Sequence, residues 1–237
     1  MSAQYWLAAH AYVCRTARHV IFLDLRHDAY HGLAASDAAT LAGQIAGFDT
    51  ITRGIESSGR EPEALLKDLL AAGLLVGDPR AGKPASQADT TVPTTALIEG
   101  YARADAPIRV RDLIRFVIAV VRARWQLRFR SLESVARRVE WRRLAHPPNH
   151  KTPGRESIRT LVSVYRRLRP LLLTANQHCL LDSLALCEFL AAHRYYPAWI
   201  FGVVGEPFAA HCWLQDQHVV VDDLPSNVRS YAPILIL

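Results

Sequence analysis

From residue 20 to 76 the apolar positions of this chain recur first at the period of a strand and then at that of a helix. Val20-Ile-Phe-Leu-Asp-Leu is a β-prone run, and Arg26-His-Asp turns it into Ala29-Tyr-His-Gly-Leu. A helix is predicted from Ser36 or Asp37, whose side-chain oxygens suit an N-cap; Ala38, Leu41, Ile45 and Phe48 then share one face. A second is predicted from Glu61-Pro62, carrying Leu65, Leu66, Leu69 and Leu70 and stopping at Gly73. Leu74-Leu-Val closes the segment as a short strand.

The pattern then lapses. Gly77 to Thr95 is rich in Gly, Pro, Thr, Ser and Ala without apolar period, so it reads as a surface connector that packs no core. Three segments follow: a winged-helix-like unit over residues 1–78, a linker over 79–95, and a larger domain over 96–237. The first contains no catalytic cluster and reads as a binding module. In the larger domain, helices are predicted from about Val110 to Arg130, Leu132 to Leu144, Ser157 to Leu168 and Cys179 to His193, with Pro147-Pro148 and Pro153-Gly154 as breakers. Strand-like runs come last: Ala198 to Val204, His211 to Gln215 and His218 to Asp222. Helices followed by antiparallel strands give an α+β domain.

Composition narrows the function classes. Half of the 237 residues are apolar and 21% are charged, as in a globular protein with a real core. The apolar run Phe116 to Val121 is closed by arginines and falls far short of the ~20 residues a membrane span needs. No Lys or Arg precedes the apolar stretch Tyr5 to Val13, so no export signal is read and a cytoplasmic location is expected. Between Arg109 and Arg169 seventeen Lys/Arg stand against four Asp/Glu. They fall at helical spacings with no aromatic-interleaved ribbon, so the segment reads as a solvated helix surface; neither nucleic acid nor membrane is expected as a partner.

The chemistry concentrates near the C-terminus. Cys14, Cys179, Cys187 and Cys212 show neither CxxC spacing nor a disulfide framework. A zinc set of His178, Cys179, His211 and Cys212 is disfavoured because adjacent strand residues point to opposite faces. Cys179 stands at the predicted start of a helix, where the dipole and free N–H groups favour a thiolate. His211 lies on a strand, and Asp222 and Asp223 close the next one. Cysteine, histidine and carboxylate so placed can form a relay in which the imidazole takes the thiol proton and the carboxylate holds its tautomer. Cys14, Cys187 and Cys212 read as buried small residues, with Cys212 facing away from His211. His178 reads as a loop histidine, Gln177 is a weak oxyanion candidate, and Trp199 and Trp213 read as core.

The wider string Cys179-Leu-Leu-Asp-Ser-Leu-Ala-Leu, Phe201-Gly-Val, Pro207-Phe-Ala-Ala-His-Cys-Trp and Val219-Val-Val-Asp-Asp resembles the transglutaminase-like (papain-like) domain of lasso-peptide biosynthesis B proteins. The resemblance covers most of 96–237. It implies a cysteine peptidase that removes the leader from a lasso precursor, with Cys179 as nucleophile and His211 as its base. The family's aspartate follows an Asn and matches Asp223; here Asp222 replaces that Asn, so either carboxylate could orient His211. The resemblance further implies that residues 1 to ~78 are the precursor-recognition domain, gripping the leader by β-augmentation along Ala29–Leu33 and the helix Glu63–Leu70. It implies no cofactor on this chain: any ATP would belong to a partner, an asparagine-synthetase-like cyclase. The same fold also admits a transglutaminase or acyltransferase, and a non-enzymatic reading makes the chain a basic adaptor.

Overall fold

The computed structural model describes residues 5–97, 107–147, 153–173 and 179–237. The chain forms two compact units: Met1–Asp89 with Gly202–Ala210 and Tyr231–Leu235, and Thr90–Phe201 with His211–Ser230 and Ile236–Leu237.

In the first unit, β1 (Trp6–Ala8), β2 (Ala11–Arg15), β3 (His19–Asp24) and β4 (Ala29–Ala34) precede three short helices. The strands β2, β3 and β4 form an antiparallel meander in that order, with Val13 opposite Phe22 and Phe22 opposite His31. Its β3–β4 turn is clamped by Asp24, whose Oδ1 accepts the N–H groups of Arg26 and His27. Where one helix was expected from Ser36 to Phe48 there are two, α1 (Ala35–Ala39) and α2 (Phe48–Thr52), and the cap is Ala34 with no side-chain bond. Gly43 and Gly47 cause the break: both take positive φ, which stops the helical ladder. Ala38, Leu41, Ile45 and Phe48 are buried nonetheless, so the apolar pattern marked the core but not its backbone.

The helix α3 (Pro62–Ala71) ends before Gly73, which has a φ of 71°. Leu65, Leu66 and Leu69 enter the core, whereas Leu70, expected beside them, is exposed. The strand β5 (Leu75–Val76) pairs with β1, and so does β6 (Gly82–Lys83). This β6, together with Ala85, corrects the expectation that 77–95 packs no core: Ala85 is buried in the cluster that holds Leu41 and Phe48, and its N–H meets Ala46 O. A Cβ on Gly82 would come within 2.6 Å of the Trp6 Cβ. Close approach there demands small residues, and small residues leave no apolar period to read.

Further along the chain, β7 (Thr95–Ala96), α4 (Val110–Phe129), α5 (Leu132–Ala145), α6 (Arg155–Leu172) and α7 (Cys179–Ala191) lead to β8 (Ala198–Val204), β9 (Ala209–Asp216), β10 (Val219–Val220), α8 (Pro225–Val228) and β11 (Ala232–Ile236). The helix α7 is apolar nearly all round, and Ser183 to Leu190 are buried, as a central helix requires. Phe116 of α4, Tyr165 of α6 and Phe189 of α7 form an aromatic chain, with ring centroids 5.4 and 5.6 Å apart. The buried Glu188 accepts hydrogen bonds from Gln126 and Arg142, each at 2.9 Å, so its charge is paired where water cannot reach it. On α4 the expected solvated arginine surface also exposes Val110, Ile114, Val121, Trp125 and Phe129. This helix has two apolar faces, only one of which meets α7.

The sheet order is β11-β8-β9-β10-β7, with β7 parallel to β10 and β9 antiparallel to it. Two of these strands carry no sequence signal. The strand β7 has two residues, and β11 contains Pro233, which an outer strand tolerates because one side of its ladder is free. No helix among the described residues is long and apolar enough to cross a membrane.

Candidate active site

Cys179 is the first residue of α7, and its thiol is reachable from solvent, unlike the buried Cys14, Cys187 and Cys212. One turn on, the Ser183 hydroxyl donates to Cys179 O at 2.7 Å and accepts the indole N–H of the buried Trp199 at 2.9 Å. This fixes the first turn of α7 against β8. Asp182 in the same turn accepts the Tyr165 hydroxyl at 2.9 Å and forms an ion pair with Arg169 at 2.7 Å, tying it to α6.

The half-buried His211 sits on β9. Its ring lies 6.0 Å from that of Trp213, two residues along the same strand face, with an interplanar angle of 22°. Its Nε2 is 2.7 Å from Asp223 Oδ2. The other oxygen of Asp223 accepts the Leu224 N–H at 2.7 Å and the Asn227 side-chain amide at 2.8 Å. With Nε2 taken, Nδ1 is the nitrogen left for a sulfur, and the imidazole does hydrogen-bond the Cys179 thiol.

The electrostatics follow from these contacts. Hydrogen bonds from the Cys212 thiol and from His211 outweigh burial and bring Cys179 down to about 4. The Asp223 carboxylate and then the Cys179 sulfur raise His211 to about 9. Burial pushes Asp223 upward, but the His211 ring and its other donors outweigh it and hold the group below the ordinary carboxylate range. At neutral pH the pair is therefore a thiolate beside an imidazolium. Such a pair attacks an acyl carbon and then supplies a proton to the leaving group.

Asp222 points elsewhere. Its Oδ1 accepts the Leu214 N–H at 2.9 Å, and burial raises it to about 7. Of the two carboxylates, the structure thus brings Asp223 to His211. Gln177 and His178 lie outside the described residues. Trp199 and Trp213 are buried, as core residues would be. Cys212 is buried, as a small core residue would be, with its sulfur 3.2 Å from Ser183 Oγ.

Sequence reasoning missed Ser183 and Asn227. Ser183 had a usable signal, four residues after Cys179 and so on the same helical face. Asn227 had none, because its role depends on how α8 folds back.

Among curated proteins and solved structures, no match to the chain was found. Residues 117–236, half of the chain, match the transglutaminase-like superfamily, which includes cysteine peptidases and acyltransferases. With Cys179 on α7, His211 on β9 and Asp223 beyond β10 all inside the matched segment, the chain belongs to the transglutaminase-like superfamily.

Proposed function

We propose that this protein is a cysteine peptidase that removes the leader from a lasso-peptide precursor, using Cys179, His211 and Asp223. The observation that carries the reading is the accessible Cys179 thiol hydrogen-bonded to an imidazole whose Nε2 is held by Asp223. The Cys179 thiolate attacks the carbonyl carbon at the leader–core junction, forming a C–S bond. His211 donates its proton to the departing amine as the C–N bond breaks. Water then attacks the thioester while His211 takes its proton, and Cys179 leaves as thiolate. Asp223 keeps the imidazole oriented and stabilises its charged form. No cofactor enters these steps; any ATP requirement belongs to an asparagine-synthetase-like cyclase acting on the product.

Recognition of the leader falls to the first unit, read as a winged-helix-like module. The outer strand β4 supports this reading, since an extended peptide can add to it by backbone hydrogen bonds. Beside it lies a cavity of about 220 Å³ lined by His19, Ile21, Tyr30, Gly32, Gly205 and Phe208, suited to one apolar side chain of an added strand. The test is cleavage of a leader–core precursor followed by mass spectrometry. Cys179→Ala should abolish product while precursor binding, read by fluorescence anisotropy, persists. Cleavage by that variant at near-normal rate would end the peptidase reading.

A further inference from the structure

The helix α4 packs with one face and leaves the other bare. Asp112, Phe116, Ala119, Ala123 and Gln126 recur every three or four residues and are buried, the spacing of a face that meets its neighbours. On the opposite side Val110, Ile114, Ile118, Val121, Trp125 and Phe129 recur at the same helical period, and each is between 46% and 74% exposed. They form one straight stripe, about 30 Å long on this 20-residue helix. Apolar residues exposed singly need no explanation, but an unbroken line of six marks a surface that meets a partner.

The flanking charge narrows that partner. Arg111, Arg115 and Arg122 each follow a stripe residue by one position, so they line one border of the stripe, and Arg128 precedes Phe129 in its last turn. The Arg130 guanidinium stands 5.1 Å from the centroid of the Trp125 ring. The single acid of the helix, Asp112, is buried on the packed face, with its carboxylate 3.7 Å from Arg111. A second copy of this chain would therefore set two arginine borders together with no acid between them. A nucleic-acid duplex would meet the arginines through its phosphates and leave the stripe in water. A protein would need a straight apolar groove with acids set at matching places. An anionic bilayer offers acyl chains and negative headgroups along any line.

The geometry points to α4 as a membrane-docking face: its stripe enters the headgroup–acyl boundary of an anionic bilayer while the bordering arginines meet lipid phosphates. Trp125 and Phe129 are side chains suited to that depth. The protein rests on the membrane rather than crossing it, since no helix among the described residues is long and apolar enough to span one. The arginine spacing alone reads as a solvated surface; the exposed apolar line beside it changes the partner. None of this depends on the peptidase reading.

The test is co-sedimentation of the full chain with vesicles of phosphatidylcholine alone and of an equal mixture with phosphatidylglycerol. Neutral vesicles should bind at least about tenfold less than anionic ones, and raised salt should release the protein. Arg122→Glu combined with Arg128→Glu should weaken anionic binding at least about tenfold, because each arginine near such a surface contributes about fivefold. Val121→Asp, which places a charge within the stripe, should abolish it. The emission of Trp125 should shift to the blue on anionic vesicles, and Trp125→Phe should lose that shift while still sedimenting. These side chains are exposed, so every variant should keep the parent's urea midpoint and its pH profile of Cys179 alkylation by iodoacetamide. Lys67→Glu with Arg80→Glu makes the same change in net charge within the first unit and should cost less than about threefold. An equal loss there would mean attraction to net charge alone and would overturn the proposal. So would binding that survives Val121→Asp, or a dimer that Val121→Asp splits, which would give the stripe to a second copy. Absence of binding to anionic vesicles would overturn it as well and leave an acidic protein surface as the occupant.

Discussion

Among the described residues, two carboxylate–imidazole pairs share the same 2.7 Å contact, one in each unit. In the first, Asp24 Oδ2 meets His27 Nδ1; in the second, Asp223 Oδ2 meets His211 Nε2. Asp24 is almost wholly buried, and its other oxygen accepts the amides of Arg26 and His27, so the pair finishes a β-turn. Asp223 is only partly buried, and the imidazole it holds also hydrogen-bonds an accessible thiol. An acid–base contact alone therefore identifies nothing. What separates a turn clamp from reactive machinery is the third group, and whether solvent and substrate can reach it.

The sharpest way to break this comparison is to remove the carboxylates one at a time. Asp223→Ala should lower precursor cleavage by at least about a hundredfold, since the imidazolium loses both its orientation and its counter-charge. The thiolate–imidazolium pair exists above the Cys179 pKa of about 4 and below the His211 pKa of about 9. Without Asp223 the upper limit should move down toward neutrality, narrowing the kcat/KM profile from its alkaline side. Asp222→Asn should stay within about threefold of the parent, because a carboxamide oxygen still accepts the Leu214 N–H. A reversed ranking would mean that the contact at His211 is not the one that works.

The counterpart in the first unit should behave in the opposite sense. Asp24→Ala leaves the amides of Arg26 and His27 and the His27 ring without their acceptor, and should cost about 1–3 kcal/mol in urea unfolding. Burial raises Asp24, but the His27 ring and the two amides outweigh it, so its folded pKa lies below the ordinary value. A depressed carboxylate contributes stability above its unfolded pKa and loses it as pH falls through the folded one. The deficit of the variant should therefore shrink in acid. Its Cys179 alkylation profile should match the parent's; a displaced profile would show that the two pairs are not independent.

How far the sequence disclosed all this depends on the kind of residue. Helices α4, α5 and α7 were legible because long apolar periods mark them, and β8 because a buried strand reads as an unbroken apolar run. The nearness of His211 to Asp223 was legible through the order and spacing of the wider string. Illegible were the elements made by small residues or by long-range pairing. Gly82 and Ala85 enter the first core through close approach, and β7 exists only because Val220 has a strand beside it. The expected helix from Ser36 failed at Gly43 and Gly47, whose left-handed backbone no periodicity count detects.

The mildest expected effect concerns Asp222, and it bears on stability rather than rate. Burial raises this carboxyl to about 7, with Asp223 and Asp182 adding to the rise and the Leu214 N–H opposing it. The unfolded chain would ionise it near the ordinary value of about 3.9. Between those limits the folded protein binds the extra proton, so stability must fall as pH rises through the window and level off above it. Asp222→Asn cannot ionise and keeps the oxygen that meets Leu214. Near pH 4 the parent and the variant should melt together. By pH 8 the variant should melt several degrees higher, at about 2–4 °C per kcal/mol for a chain of this size. Groups remote from Asp222 are common to both proteins and cancel in the difference; Asp223 and Asp182 respond only because they sense the Asp222 charge, so the widening gap belongs to that charge. Asp222→Ala supplies the control, since it removes the acceptor and should melt low at every pH. Parallel melting curves for parent and Asp222→Asn from pH 4 to 8 would mean that Asp222 is solvated in the folded chain. The contrast between a buried carboxyl and its neighbour Asp223, which meets His211, would then have to rest on hydrogen-bond geometry alone.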